Sequence, residues 1–75
     1  MSEITDTIMR DIEADASIKA HTISIEVDAK GFLKRRRIIR LVGTVHSEAS
    51  KEKASWIAEH HAGDNYDVVN ELTIK

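Results

Sequence analysis

At 75 residues and 8.4 kDa, the chain has room for one small domain, residues 1–75, because so short a chain cannot divide its apolar residues between two cores. Hydrophobic residues at 41% and charged residues at 32% exclude a chain that stays unfolded, and the absence of cysteine excludes disulfide staples, thiol chemistry and sulfur-based zinc sites. The net charge of −2 conceals a separation: residues 3–15 carry Glu3, Asp6, Asp11, Glu13 and Asp15 against Arg10, while residues 30–40 carry Lys30, Lys34, Arg35, Arg36, Arg37 and Arg40 and no acid.

In chain order, Ile4, Ile8 and Ile12 recur every four residues and Ala16 continues the row, which predicts a helix from Glu3 to Ala16 with Ser2 as its N-cap. The period then shortens to two. Ile23, Ile25 and Val27 alternate with Ser24, Glu26 and Asp28, predicting a strand over 22–28 with one buried face. Asp28-Ala29-Lys30-Gly31 supplies a turn, and Phe32 to Val45 forms the next extended segment. Its second half, Ile38 to Val45, is apolar on both sides and is expected at the centre of the sheet. Gly43 breaks the inward row where a side chain would stand, which predicts a helix backbone packed close to it.

Ser47 is a candidate N-cap for a second helix over 48–62, whose stripe of Ala54, Ile57, Ala58 and His61 ends before Gly63 at the C′ position. After Asp64 and Asn65, the alternation Tyr66, Val68, Asn70, Leu72, Ile74 predicts a last strand. The order is αββαβ. Each helix has a single apolar stripe to bury, so the expected fold is α+β, a two-layer sandwich with both helices on one face of a three-stranded sheet.

Ile25-x-Val27, Gly31, Leu41-x-Gly43-x-Val45, Ala54-x-x-Ile57-Ala58, Gly63 and Val69-Asn70-x-Leu72-x-Ile74 occur in an order and spacing that resemble the BON domain, across nearly the whole chain. The family takes its name from bacterial osmotically inducible and nodulation proteins. The resemblance implies a small αββαβ binding module, usually exported, often in tandem, that associates with phospholipid membranes and takes part in stress responses. The chain departs from the pattern in a longer segment between Gly31 and Ile38, in His61 where an aliphatic residue is usual, and in Asp64 where valine is common.

The candidate anionic-lipid site is the basic segment with its apolar pair: Lys30, Phe32, Leu33, Lys34, Arg35, Arg36, Arg37 and Arg40. Each cation near an anionic bilayer contributes on the order of 1 kcal/mol, and shallow insertion of Phe32 and Leu33 adds to it. A solvated tip that protects an edge strand is the plainer account of the same charges. A second candidate is a protein-interaction or self-association surface of Ile38, Val42 and Val69 on the open sheet face, with Trp56 read as sitting at the margin of the core and as a possible partner anchor. Nucleic-acid binding ranks lower, because the pI is near 6.0 and Trp56 and Tyr66 fall outside the basic segment.

Adjacent His60 and His61 point about 100° apart on a helix and are poor joint ligands, so no metal site is expected; His61 reads as a partly buried stripe residue and His60 as solvent-facing. His21 and His46 border the first two strands as loop residues. Asp6, Asp11, Glu13 and Asp15 read as a solvated helix face, no nucleophile motif or phosphate loop is present, and the chain is expected to be neither an enzyme nor a cofactor carrier. No segment reaches the roughly 18 apolar residues of a membrane span, and Met1 to Asp6 is acidic where a secretory leader would be basic. As written, the expected location is cytoplasmic, or periplasmic for a piece of an exported parent.

Overall fold

In the computed structural model the described residues, 3–28 and 37–75, form α1 (Glu3–Ala14), β1 (Ala20–Asp28), β2 (Arg37–Val45), α2 (Glu48–Ala62) and β3 (Tyr66–Ile74). The three strands make one sheet in the order β1-β2-β3, so the doubly apolar segment Ile38 to Val45 is central as its composition predicts. β1 pairs antiparallel with β2, placing Ile25 beside Leu41 and Val27 beside Ile39. β3 runs parallel to β2, with Val68 beside Ile39 and Leu72 beside Gly43, because α2 carries the chain back along the sheet between them.

One face of the sheet takes both helices. Ile8 and Ile12 of α1 and Ala54, Ile57, Ala58 and Ala62 of α2 are buried with Ile39, Leu41, Val45 and Leu72 of the sheet in a single core. The alanines let the α2 backbone approach the strands closely. The result is the expected two-layer α+β arrangement in αββαβ order. Among the described residues, no helix is long and apolar enough to cross a membrane.

Local chemistry sets the element ends. Ser47 is extended at φ −153°, ψ 161°, and its hydroxyl accepts from the Ser50 N–H at 3.1 Å, the N-cap of α2. Gly63 closes the helix at φ 56°, where its N–H donates to the Glu59 carbonyl at 3.1 Å. Helix α1 stops at Ala14, short of the expected Ala16, because the Asp15 carboxylate accepts from both the N–H of Ser17 (2.9 Å) and its hydroxyl (2.6 Å) and turns the chain. Ala16 is exposed, and Ile18 packs against the core in its stead. Ser2, the expected cap of α1, lies outside the described residues.

Gly43 corrects the sequence reading. It has φ 141°, and a Cβ built there would lie 2.2 Å from the carbonyl oxygen of Thr22, so the close neighbour is the adjacent strand and not a helix. The register irregularity in β1 between Ala20 and Thr22 lies beside this contact. Among the described residues Ser50, 1% exposed, is a buried polar residue beside the core; its hydroxyl accepts from the Lys19 N–H at 2.9 Å and ties the α1–β1 connection to the start of α2. Asn70 stitches the other side: its amide donates to the Lys51 carbonyl at 3.1 Å and its oxygen accepts from the Leu72 N–H at 3.0 Å.

Candidate functional site

β1 runs out to Asp28 and β2 returns from Arg37, with Asp28 beside Ile38, so residues 29–36 connect the two strands at one end of the sheet. Lys30, Phe32, Leu33, Lys34, Arg35 and Arg36 lie outside the described residues. Arg37, the first residue of β2, is exposed.

Arg40 occupies a different environment. Alternation along β2 puts Ile39 and Leu41 in the core and Arg40 on the open face, between Glu26 of β1 and Val69 of β3. Its guanidinium meets three carboxylates: Nη2 is 2.9 Å from Asp28 Oδ2, Nε 3.6 Å from Glu71 Oε1, and Nη1 3.9 Å from Glu26 Oε1. Nε is itself buried and makes no hydrogen bond, which leaves Asp28 as the directed partner. Sequence proximity groups Arg40 with the basic segment; on the sheet its charge is already answered by carboxylates from both flanking strands. The register between Asp28 and Ile38 is the signal from which these partners could be read, since it carries Glu26 opposite Arg40.

The residues grouped as a protein-interaction surface separate into two places. Ile38 and Val42 are partly exposed and Val69 is 36% exposed on the open face, around the Arg40 cluster. Trp56 is on α2, which packs against the opposite face, and at 64% exposure it points away from the sheet. Its expected place at the core margin is therefore corrected. Ile57 and Ala58 take the buried side of the helix, and the rotation of about 100° per residue turns position 56 to solvent, where the indole stacks on His60 with ring centroids 5.7 Å apart. Trp56 cannot share one contact with Ile38, Val42 and Val69.

The acids of α1 are not uniformly solvated. Asp11 Oδ2 lies 2.5 Å from His61 Nε2, linking the two helices, and the His61 side chain is partly buried at 25% exposure, the position its place in the stripe predicts. Asp15 lies 3.3 Å from Lys53 Nζ, and Lys53 donates to the Ser17 hydroxyl at 2.6 Å. Donation from the Ser17 hydroxyl and N–H, with the Lys53 ammonium nearby, holds the Asp15 carboxyl below its ordinary value. Among the described residues, no group of three or more His, Cys, Asp or Glu is placed to hold a metal ion.

No family model, curated protein or solved structure matches the chain. Among the described residues the surface offers a segregation of charge: the carboxylates of Glu26, Asp28 and Glu71 around Arg40 on the open face, and acidic residues along α1.

Proposed function

We propose that the chain is a non-enzymatic, BON-like binding module that associates peripherally with anionic phospholipid surfaces through Lys30, Phe32, Leu33, Lys34, Arg35, Arg36 and Arg37. The observation that carries this reading is five cations within residues 30–37, with no acid among them, on a chain whose net charge is −2. In sequence, four of them fall between the paired strands β1 and β2, and the fifth, Arg37, begins β2. At on the order of 1 kcal/mol per cation, five give a few kcal/mol of salt-sensitive attraction, and Phe32 and Leu33 add an apolar term that salt does not screen. Arg40 is left out of the lipid contact because Asp28, Glu26 and Glu71 surround it.

Vesicle co-sedimentation tests the reading. Binding to phosphatidylglycerol vesicles with little binding to phosphatidylcholine is the expected result; equal partitioning to both, or to neither, discards it.

A protein-interaction role is the second reading. The partly exposed Ile38, Val42 and Val69 on the open face favour it, although the carboxylates around them limit the apolar area to a narrow strip. A nucleic-acid role has less support. Tyr66 lies beside Arg37 in register, yet it packs against the core, and Trp56 is on the far layer, so no aromatic platform adjoins the cations among the described residues.

A further inference from the structure

We infer that the groove between α1 and β1 is a docking site for an extended apolar-basic segment, and that its occupant is the Phe32–Arg37 stretch of a second copy of this chain. The groove is lined by the apolar Met9, Ile12, Ile18 and Ile23 and the polar Glu13, Thr22 and Ser24, and has a volume of about 500 Å³. A shallower continuation runs along Met9, Ile23 and Ile25 to Asp6.

Three physical features converge on an extended peptide. β1 is an edge strand, so among the described residues its outer main-chain groups face no further strand. Such an edge accepts an added strand through its N–H and C=O groups, and a helix-flanked apolar groove beside it receives alternate side chains of that strand. The irregularity between Ala20 and Thr22 confines such pairing to the regular part of β1, from Thr22 to Asp28.

Charge selects the occupant. The acids of α1 and the turn after it divide by side: Asp11 faces His61, Asp15 faces Lys53 and Glu3 lies on the His61 side, whereas Asp6 and Glu13 line the groove and form no ion pair with any described residue. A part-apolar, part-polar cleft bordered by two carboxylates that pair with no described cation favours a segment with apolar residues followed by cations. Phe32-Leu33-Lys34-Arg35-Arg36-Arg37 has that composition in that order. A heterologous contact of this kind joins one protomer's basic segment to the next protomer's groove, and it competes with lipid for the same cations.

The test is sedimentation velocity of the full chain across concentration and ionic strength, with an Asp6→Lys/Glu13→Lys double variant beside the wild type. Both substituted positions are exposed, so a folded variant is expected, and far-UV circular dichroism verifies it. The wild type should self-associate at low salt, and the variant should associate roughly tenfold more weakly or not at all. A wild type that stays monomeric at all concentrations, or a variant that associates as the wild type does, overturns the proposal. Vesicle binding is read separately: the variant should bind phosphatidylglycerol at least as well as the wild type, so failure of the groove and failure of the lipid reading give different results.

Discussion

Gly43→Ala is the substitution whose outcome the geometry fixes most tightly. The residue sits at φ 141°, a backbone conformation that only glycine adopts cheaply, and an added Cβ would lie 2.2 Å from the Thr22 carbonyl oxygen and 3.0 Å from its carbon. The conformational part costs on the order of 1–3 kcal/mol. Forcing the backbone of β1 away costs about another 1–3 kcal/mol, since the clash is with main chain and not with a side chain that could rotate aside. The total of roughly 2–6 kcal/mol is a large share of the few to about 11 kcal/mol expected for a domain of this length. Urea denaturation followed by circular dichroism measures it. Gly63→Ala is the control: φ is also positive, at 56°, but a Cβ there meets nothing within 4 Å, so only the conformational part, on the order of 1–3 kcal/mol, is expected without the added clash. If Gly43→Ala cost no more than Gly63→Ala, the close approach of β1 to Gly43 would be refuted.

Two further outcomes follow from the polar contacts. Ser50→Ala leaves the part-buried Lys19 N–H without its acceptor and should cost about 1 kcal/mol, with faster hydrogen exchange at the Lys19 amide as the local signature. Asp15 has a folded value below its ordinary 3.8, so its ionised form stabilises the fold at pH above that value and the contribution fades as the pH falls through the lower folded value; the stability difference between wild type and Asp15→Asn in an acid titration should shrink in that same interval.

The elements were legible in the sequence because their signals are local. Ser47 and Gly63 bracket α2 by cap chemistry, and the period-two rows of β1 and β3 place Ile25 and Leu72 on the core side. What escaped depends on neighbours distant in the chain or on a competing side chain. Helix α1 has the periodicity to reach Ala16, yet the Asp15 carboxylate captures Ser17 and ends it earlier. The empty place at Gly43 was visible, but the atoms nearest it belong to the β1 backbone at Thr22 and Ile23, a neighbour that no local pattern announces. The Asp11–His61 contact spans fifty positions, and the carboxylates around Arg40 come from two strands, β1 and β3, so they emerge only once the strand register is known and not from local spacing. The basic segment is the reverse case. Its composition is plain in the sequence, and residues 30–36 fall outside the described part of the structure.

The most direct test of the central claim compares wild type with the Arg35→Ser/Arg36→Ser/Arg37→Ser variant on phosphatidylglycerol vesicles at low and high ionic strength. Losing three cations at about 1 kcal/mol each should weaken wild-type partitioning by roughly a hundredfold, and raising the salt should bring the two proteins close together. Partitioning by the variant that equals the wild type at low salt would contradict the claim that these arginines carry the domain to negatively charged surfaces.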